Sequence, residues 1–97
     1  MRCWLLPALA CALAQPGAAH AADAPPGASS CSGCHAASKT VETAVPRLVG
    51  RKPVEIVMAM REFKSGARPA TVMGRIAKGF NDPETDAIAA WFGAQSD

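Results

Sequence analysis

Cys31-Ser32-Gly33-Cys34-His35 carries the chemistry of this chain. Two thiols three positions apart, with an imidazole directly after the second, match the pattern for covalent attachment of a c-type haem. The two sulfurs add to the vinyl groups of the porphyrin, and one turn of backbone sets His35 beneath the iron as an axial ligand. A second axial ligand must come from elsewhere in the chain. A thioether is soft, favours the ferrous state and raises the potential relative to a second imidazole. Met58, Met60 and Met73 are the methionines beyond the N-terminal segment. Met58 and Met60 fall inside an amphipathic helical pattern, where filling gaps in a core is the ordinary role of methionine. Met73 falls in a stretch flanked by Gly and Pro, where backbone can arch over the far face of a ring, so position favours Met73 as the distal ligand. The rival is a five-coordinate site open to small gases.

Pro46 stands eleven positions after His35, in Pro46-Arg47-Leu48-Val49-Gly50. A proline donates no backbone hydrogen bond, but its carbonyl accepts. Metal-bound imidazoles almost always donate their other ring N–H to such an acceptor, which fixes the tautomer and orients the ring. The Pro46 carbonyl is the candidate acceptor from His35 Nδ1; the plainer reading is an ordinary loop proline.

The elements that must position these groups are helical. Pro25 or Pro26 opens a short turn of helix running into the cysteines, and residues 36–51 read as loop. Pro53 to Ser65 is the clearest helix, with Pro at its first position, Glu55 in its first turn and Ser65-Gly66 and Pro69 ending it. Two neighbouring stripes run along it, Val54/Val57/Met58/Arg61 and the more apolar Ile56/Val57/Met60 with Phe63 or Lys64. Met73 precedes a short helix ending near Gly79. Asn81 or Asp82 then caps a last helix with Pro83 at its start, Glu84 in its first turn and Ile88, Ala89, Trp91 and Phe92 on its apolar side. No internal repeat and no extended strand pattern is present.

The N-terminus reads as a cleavable export signal. Arg2 is the positive region, residues 4–14 are a short apolar run, and Ala19-His20-Ala21 fits a small-x-small cleavage site, which predicts cleavage after Ala21. The run is shorter than the roughly 18 residues a membrane span needs, although an uncleaved anchor is the alternative. Residues 1–21 are thus a signal peptide and 22–97 a single domain. Cleavage removes Cys3, Cys11 and His20, so Cys31, Cys34 and one histidine remain, and two histidines from one chain cannot ligate the iron. The compartment is the periplasm, where a lone thiol pair can oxidise. A disulfide across two intervening residues closes too small a loop to stabilise much. So short a domain needs a staple, and one haem c is a large apolar plate around which a thin shell can close. With 10 Lys and Arg against 8 Asp and Glu the chain is close to neutral, and no long basic run marks it for nucleic acid.

With these residues in place the chain resembles a class I cytochrome c. It has an attachment motif near the mature N-terminus, a Pro-x-Leu-x-Gly loop, and a methionine before a closing aromatic-bearing helix. Met60-Arg61-Glu62-Phe63-Lys64-Ser65-Gly66, followed by residues 71–80, is similar to the cytochrome subunit of flavocytochrome c sulfide dehydrogenase. The resemblance implies an all-α fold of three to five helices wrapped around one covalently attached haem. It implies that Cys31 and Cys34 hold the haem, that His35 and Met73 are axial, and that a sulfide-oxidising flavoprotein is the electron donor. The best-known members carry two haem domains, whereas this sequence has one attachment motif. That leaves a one-haem subunit, or a free carrier serving a terminal oxidase or other reductase. Electron transfer, not catalysis, is the expected role. Arg47, Arg51, Lys52, Arg61, Lys64, Arg68, Arg75 and Lys78 are candidates for a docking surface, each with solvated charge as the plainer reading. A thiol oxidoreductase using Cys31 and Cys34 is the remote alternative, because such pairs usually open a helix in a βαβ context that is absent here. A structural zinc site is rarer still, since it needs two more ligands.

Overall fold

The computed structural model describes residues 23–96. The export signal, its cleavage point and the first and last residues of the expected 22–97 domain lie outside the described residues. Four helices follow in order: α1 (Ala28–Cys31), α2 (Pro53–Ser65), α3 (Met73–Ala77) and α4 (Asp82–Gly93). No strand occurs among the described residues.

α2 runs as its residue types demand. Pro53 is its first residue, Glu55 and Lys64 complement the two ends of its dipole, and Gly66 ends it with φ 82, a conformation that glycine adopts without strain. Of its two stripes, the more apolar one faces inward. Ile56 is buried, and Val57 and Met60 pack against the core, while Val54 and Met58 are more than half exposed. α4 has a complete capping box: Asn81 Oδ1 accepts from the Glu84 amide at 2.9 Å, and Glu84 Oε1 accepts from the Asn81 amide at 3.0 Å. Its buried side chains are Thr85, Ile88, Ala89 and Phe92, and Trp91 is half-buried, meeting Phe92 edge-on at 4.8 Å between ring centroids.

α2 packs on both α3 and α4. The core joins Ala28 of α1, Ile56 of α2 and Ile88, Ala89 and Phe92 of α4, with Leu48 and Val49 of the long loop packed against it. The loop is held at its end by the Gly50 amide, which donates to the Phe92 carbonyl at 3.0 Å. At that corner α4 and the start of α2 touch closely. A Cβ on Gly93 would lie 2.7 Å from Pro53 Cγ and 2.8 Å from the Arg51 carbonyl oxygen.

Two local differences from the sequence expectations are geometric. The prolines at 25 and 26 form a turn, and the helix begins at Ala28 because Gly27 takes φ 89 and swings the chain into it. Met73 does not precede the short helix but is its first residue.

Candidate haem site

Cys31 is the last residue of α1, and the backbone turns without a break from there to His35. The Gly33 amide donates to the Ser30 carbonyl at 3.3 Å, Cys34 to Cys31 at 3.2 Å, and His35 to Cys31 at 2.9 Å. Both cysteines are free thiols, Cys34 exposed and Cys31 half-buried. The Cys31 thiol lies 3.6 Å from the Gly27 carbonyl oxygen, which accepts its proton. Burial pushes the Cys31 thiol above its ordinary pKa. A cysteine that works by thiol–disulfide exchange needs the opposite shift, toward the thiolate.

Nδ1 of His35 lies 2.5 Å from the Pro46 carbonyl oxygen. A carbonyl can only accept, so the proton sits on Nδ1 and Nε2 is left with its lone pair free for a metal. The loop that brings Pro46 there is braced by Arg47, whose Nε and Nη2 both donate to the Ala37 carbonyl at 2.9 and 2.7 Å. By residue type Arg47 is a candidate docking cation; the folded loop instead turns its guanidinium back on its own backbone.

Met73 is half-buried at the start of α3. Gly74, next to it, sits against the end of α2, where an added Cβ would lie 3.6 Å from the Phe63 carbonyl oxygen. The loop leading to Met73 is tied back to α2 by Arg68. Its Nε donates to Glu62 Oε2 at 2.8 Å, its amide donates to the Glu62 carbonyl at 3.2 Å, and its guanidinium lies 5.6 Å from the centroid of the Phe63 ring. At the far end of α3, Lys64 Nζ donates to the Phe80 carbonyl. Three of the eight candidate docking cations, Arg47, Lys64 and Arg68, thus have partners within the chain.

The residues fit a haem. Two free thiols and an imidazole with one nitrogen committed lie on one continuous turn. Val41, Val54, Met58, Val72 and Ile76 are between 42% and 59% exposed. Among the described residues no three His, Cys, Asp or Glu side chains gather around a common point. The two open grooves, of about 470 and 330 Å³, are lined by residues other than Cys31, Cys34, His35 and Met73.

No family model matches the chain. Over 64 residues it is 42% identical to the cytochrome subunit of sulfide dehydrogenase from Chlorobaculum tepidum (strain ATCC 49652 / DSM 12025 / NBRC 103806 / TLS), a match that covers 66% of this chain and 58% of that protein. The chain therefore spans less than two thirds of the length of this relative. A cytochrome is a haem protein, so the likeness implies haem, in agreement with what the attachment motif requires. By sequence the chain is close to the cytochrome subunit of sulfide dehydrogenase, and its described residues, helical and without a strand, agree with a small, all-α, cytochrome c-like fold.

Proposed function

We propose that this chain is a periplasmic c-type cytochrome with a single haem, which passes one electron at a time between a sulfide-oxidising flavoprotein and an acceptor. Cys31 and Cys34 would hold the porphyrin through thioether bonds, and His35 Nε2 and the Met73 thioether would ligate the iron. When bound, the haem supplies a one-electron couple; everything else is done by the chain. Pro46 keeps the proton on His35 Nδ1, fixing the imidazole tautomer and its orientation. Met73 offers a soft ligand that favours the reduced form.

The observation that carries this reading is the His35–Pro46 contact at the end of a Cys-x-x-Cys-His turn. Metal-bound imidazoles almost always donate their other ring N–H to such an acceptor, and this contact supplies one. The name of the relative points to the donor. Charge supports a docked protein partner. Residues 51–80 carry Arg51, Lys52, Arg61, Lys64, Arg68, Arg75 and Lys78 against Glu55 and Glu62, while residues 81–97 carry only Asp82, Glu84, Asp86 and Asp97. Such a dipolar chain steers an acidic surface toward its cationic segment and speeds association more than it strengthens it.

The test is expression of the full chain in a host that matures c-type cytochromes. The mature protein should keep a haem-staining band on a denaturing gel and, when reduced, show the sharp visible bands of a six-coordinate low-spin haem. A colourless product overturns the reading. The single attachment motif favours a second reading for the partner alone: a free carrier to a terminal oxidase or other reductase. A flavoprotein that stays with the protein through purification supports the subunit; a coloured monomer with no flavin supports the carrier.

A further inference from the structure

We infer that Lys64 is a positioning residue for Met73: through its bond to the Phe80 carbonyl, it closes the segment that carries Met73 and seats that segment on the turn leading to Cys31. This rests on Met73 being the distal ligand, as proposed above.

Three observations meet at Phe80. The Lys64 ammonium, in the last turn of α2, donates to the Phe80 carbonyl sixteen residues on. Everything between them is the loop 66–72, α3 and the turn after it, and Met73 is at the centre of that span. α3 is only five residues long, too short to be stable by itself. Its position therefore depends on how its two ends are held. Arg68 and Glu62 hold the entry. Lys64 holds the exit, and its ammonium is half-buried there, where a charged hydrogen bond is stronger than on open surface.

The Phe80 ring carries the second link. An ideal Cβ on Gly27 would lie 2.5 Å from Phe80 Cε1, 3.2 Å from Cζ and 3.5 Å from Ile88 Cδ1. The ring thus rests on the bare Cα of Gly27, and the Gly27 carbonyl accepts from the Cys31 thiol. One residue joins the end of the Met73 segment to the turn that enters the attachment motif. Nothing in this arrangement requires Lys64 to touch a haem. It works by limiting how often the segment lifts, and any lifting frees the iron face that Met73 occupies.

The test uses the mature, haem-loaded protein and free imidazole as the competing ligand for oxidised iron. Lys64→Met keeps the stem and its packing and removes the donor; Lys64→Arg restores one. Lys64→Met should bind imidazole about tenfold more tightly, equivalent to about 1.4 kcal/mol, and Lys64→Arg should return to within about threefold of wild type. Hydrogen exchange should quicken about tenfold at the amides of Arg75, Ile76, Gly79 and Phe80, while those of Ile88, Ala89 and Phe92 keep their protection. Imidazole affinity in Lys64→Met within twofold of wild type overturns the inference, as does an equal loss of protection in α4, which marks a general structural role. Should Lys64→Met fail to mature, Lys64→Gln supplies the same comparison. If wild type lacks the near-infrared sulfur-to-iron band and Met73→Ala looks like wild type, Met73 is no ligand, and the proposed function's ligand set and this inference both fall. If the band is present and Lys64 is indifferent, only the inference falls.

Discussion

Met73 is where one side chain decides the most. Met60 packs against the core and Met58 lies more than half exposed on α2, while Met73 stands at the start of a separate short helix. Replacing Met73 by Ala should abolish the near-infrared sulfur-to-iron band and open the reduced iron to carbon monoxide; Met58→Ala should change neither. A band that survives in Met73→Ala moves the ligand to Met58 or Met60. At this scale the sequence was informative where covalent spacing constrains geometry. Residues 31–35 are close enough in the chain to share a single turn, as covalent attachment requires, and Cys31, Cys34 and His35 do lie on one. The Pro46 carbonyl was readable as a candidate because proline offers an acceptor and no donor. That it lies within hydrogen-bond distance of Nδ1 needed the loop to be folded. The roles of Arg47, Lys64 and Arg68 were not readable, since a cation's partner is a matter of distance in space and each of these bonds crosses several residues of chain.

At the scale of elements, α2 and α4 follow their start and stop signals closely. Pro at the first turn and acidic residues beside it in both helices, and glycine after the end of α2, agree with the packing that the helices reach, and agreement between local and tertiary preference is what makes a boundary legible. Their meeting point is more specific. Gly93 ends α4 against Pro53 and the Arg51 carbonyl, with no room for a methyl group. Gly93→Ala forces the α2–α4 corner apart. It should lower stability by about 1–3 kcal/mol, measured by denaturant unfolding of the haem-loaded protein. A value near zero would show that the corner yields freely. Nothing in the sequence marked Gly93 for this role. A glycine inside a helical pattern reads as a weak spot, and its use as a contact surface exists only once the second helix is in place.

For the whole molecule, the core is thin. Among the described residues its buried apolar side chains are Ala28, Ile56, Ala77, Ile88, Ala89 and Phe92, three of them alanines, while larger apolar residues such as Val54 and Val72 stay exposed. A domain this small with so little buried surface has a narrow margin over the conformational entropy of its chain. A bound group that contacts only the folded form shifts that balance by mass action, and a covalent one does so permanently. The double substitution Cys31→Ser/Cys34→Ser should therefore yield a chain whose far-ultraviolet circular dichroism shows most of the helical signal lost at neutral pH and 25 °C. A helical, cooperatively melting product without haem would show that the protein part is sufficient.

The sequence alone determined what depends on neighbours in the chain: the attachment motif, the boundaries of α2, the start of α4 at Asn81 or Asp82 and the absence of a strand pattern. Each of these is set by bonds or hydrogen bonds spanning a few residues, so composition and spacing contain them. Only the tertiary structure decided which stripe of α2 turns inward, which carbonyl meets His35, and that Phe80 lies between Lys64 and Gly27. These pairings join positions eleven to more than fifty residues apart, and such contacts come from how helices pack, which no local pattern encodes.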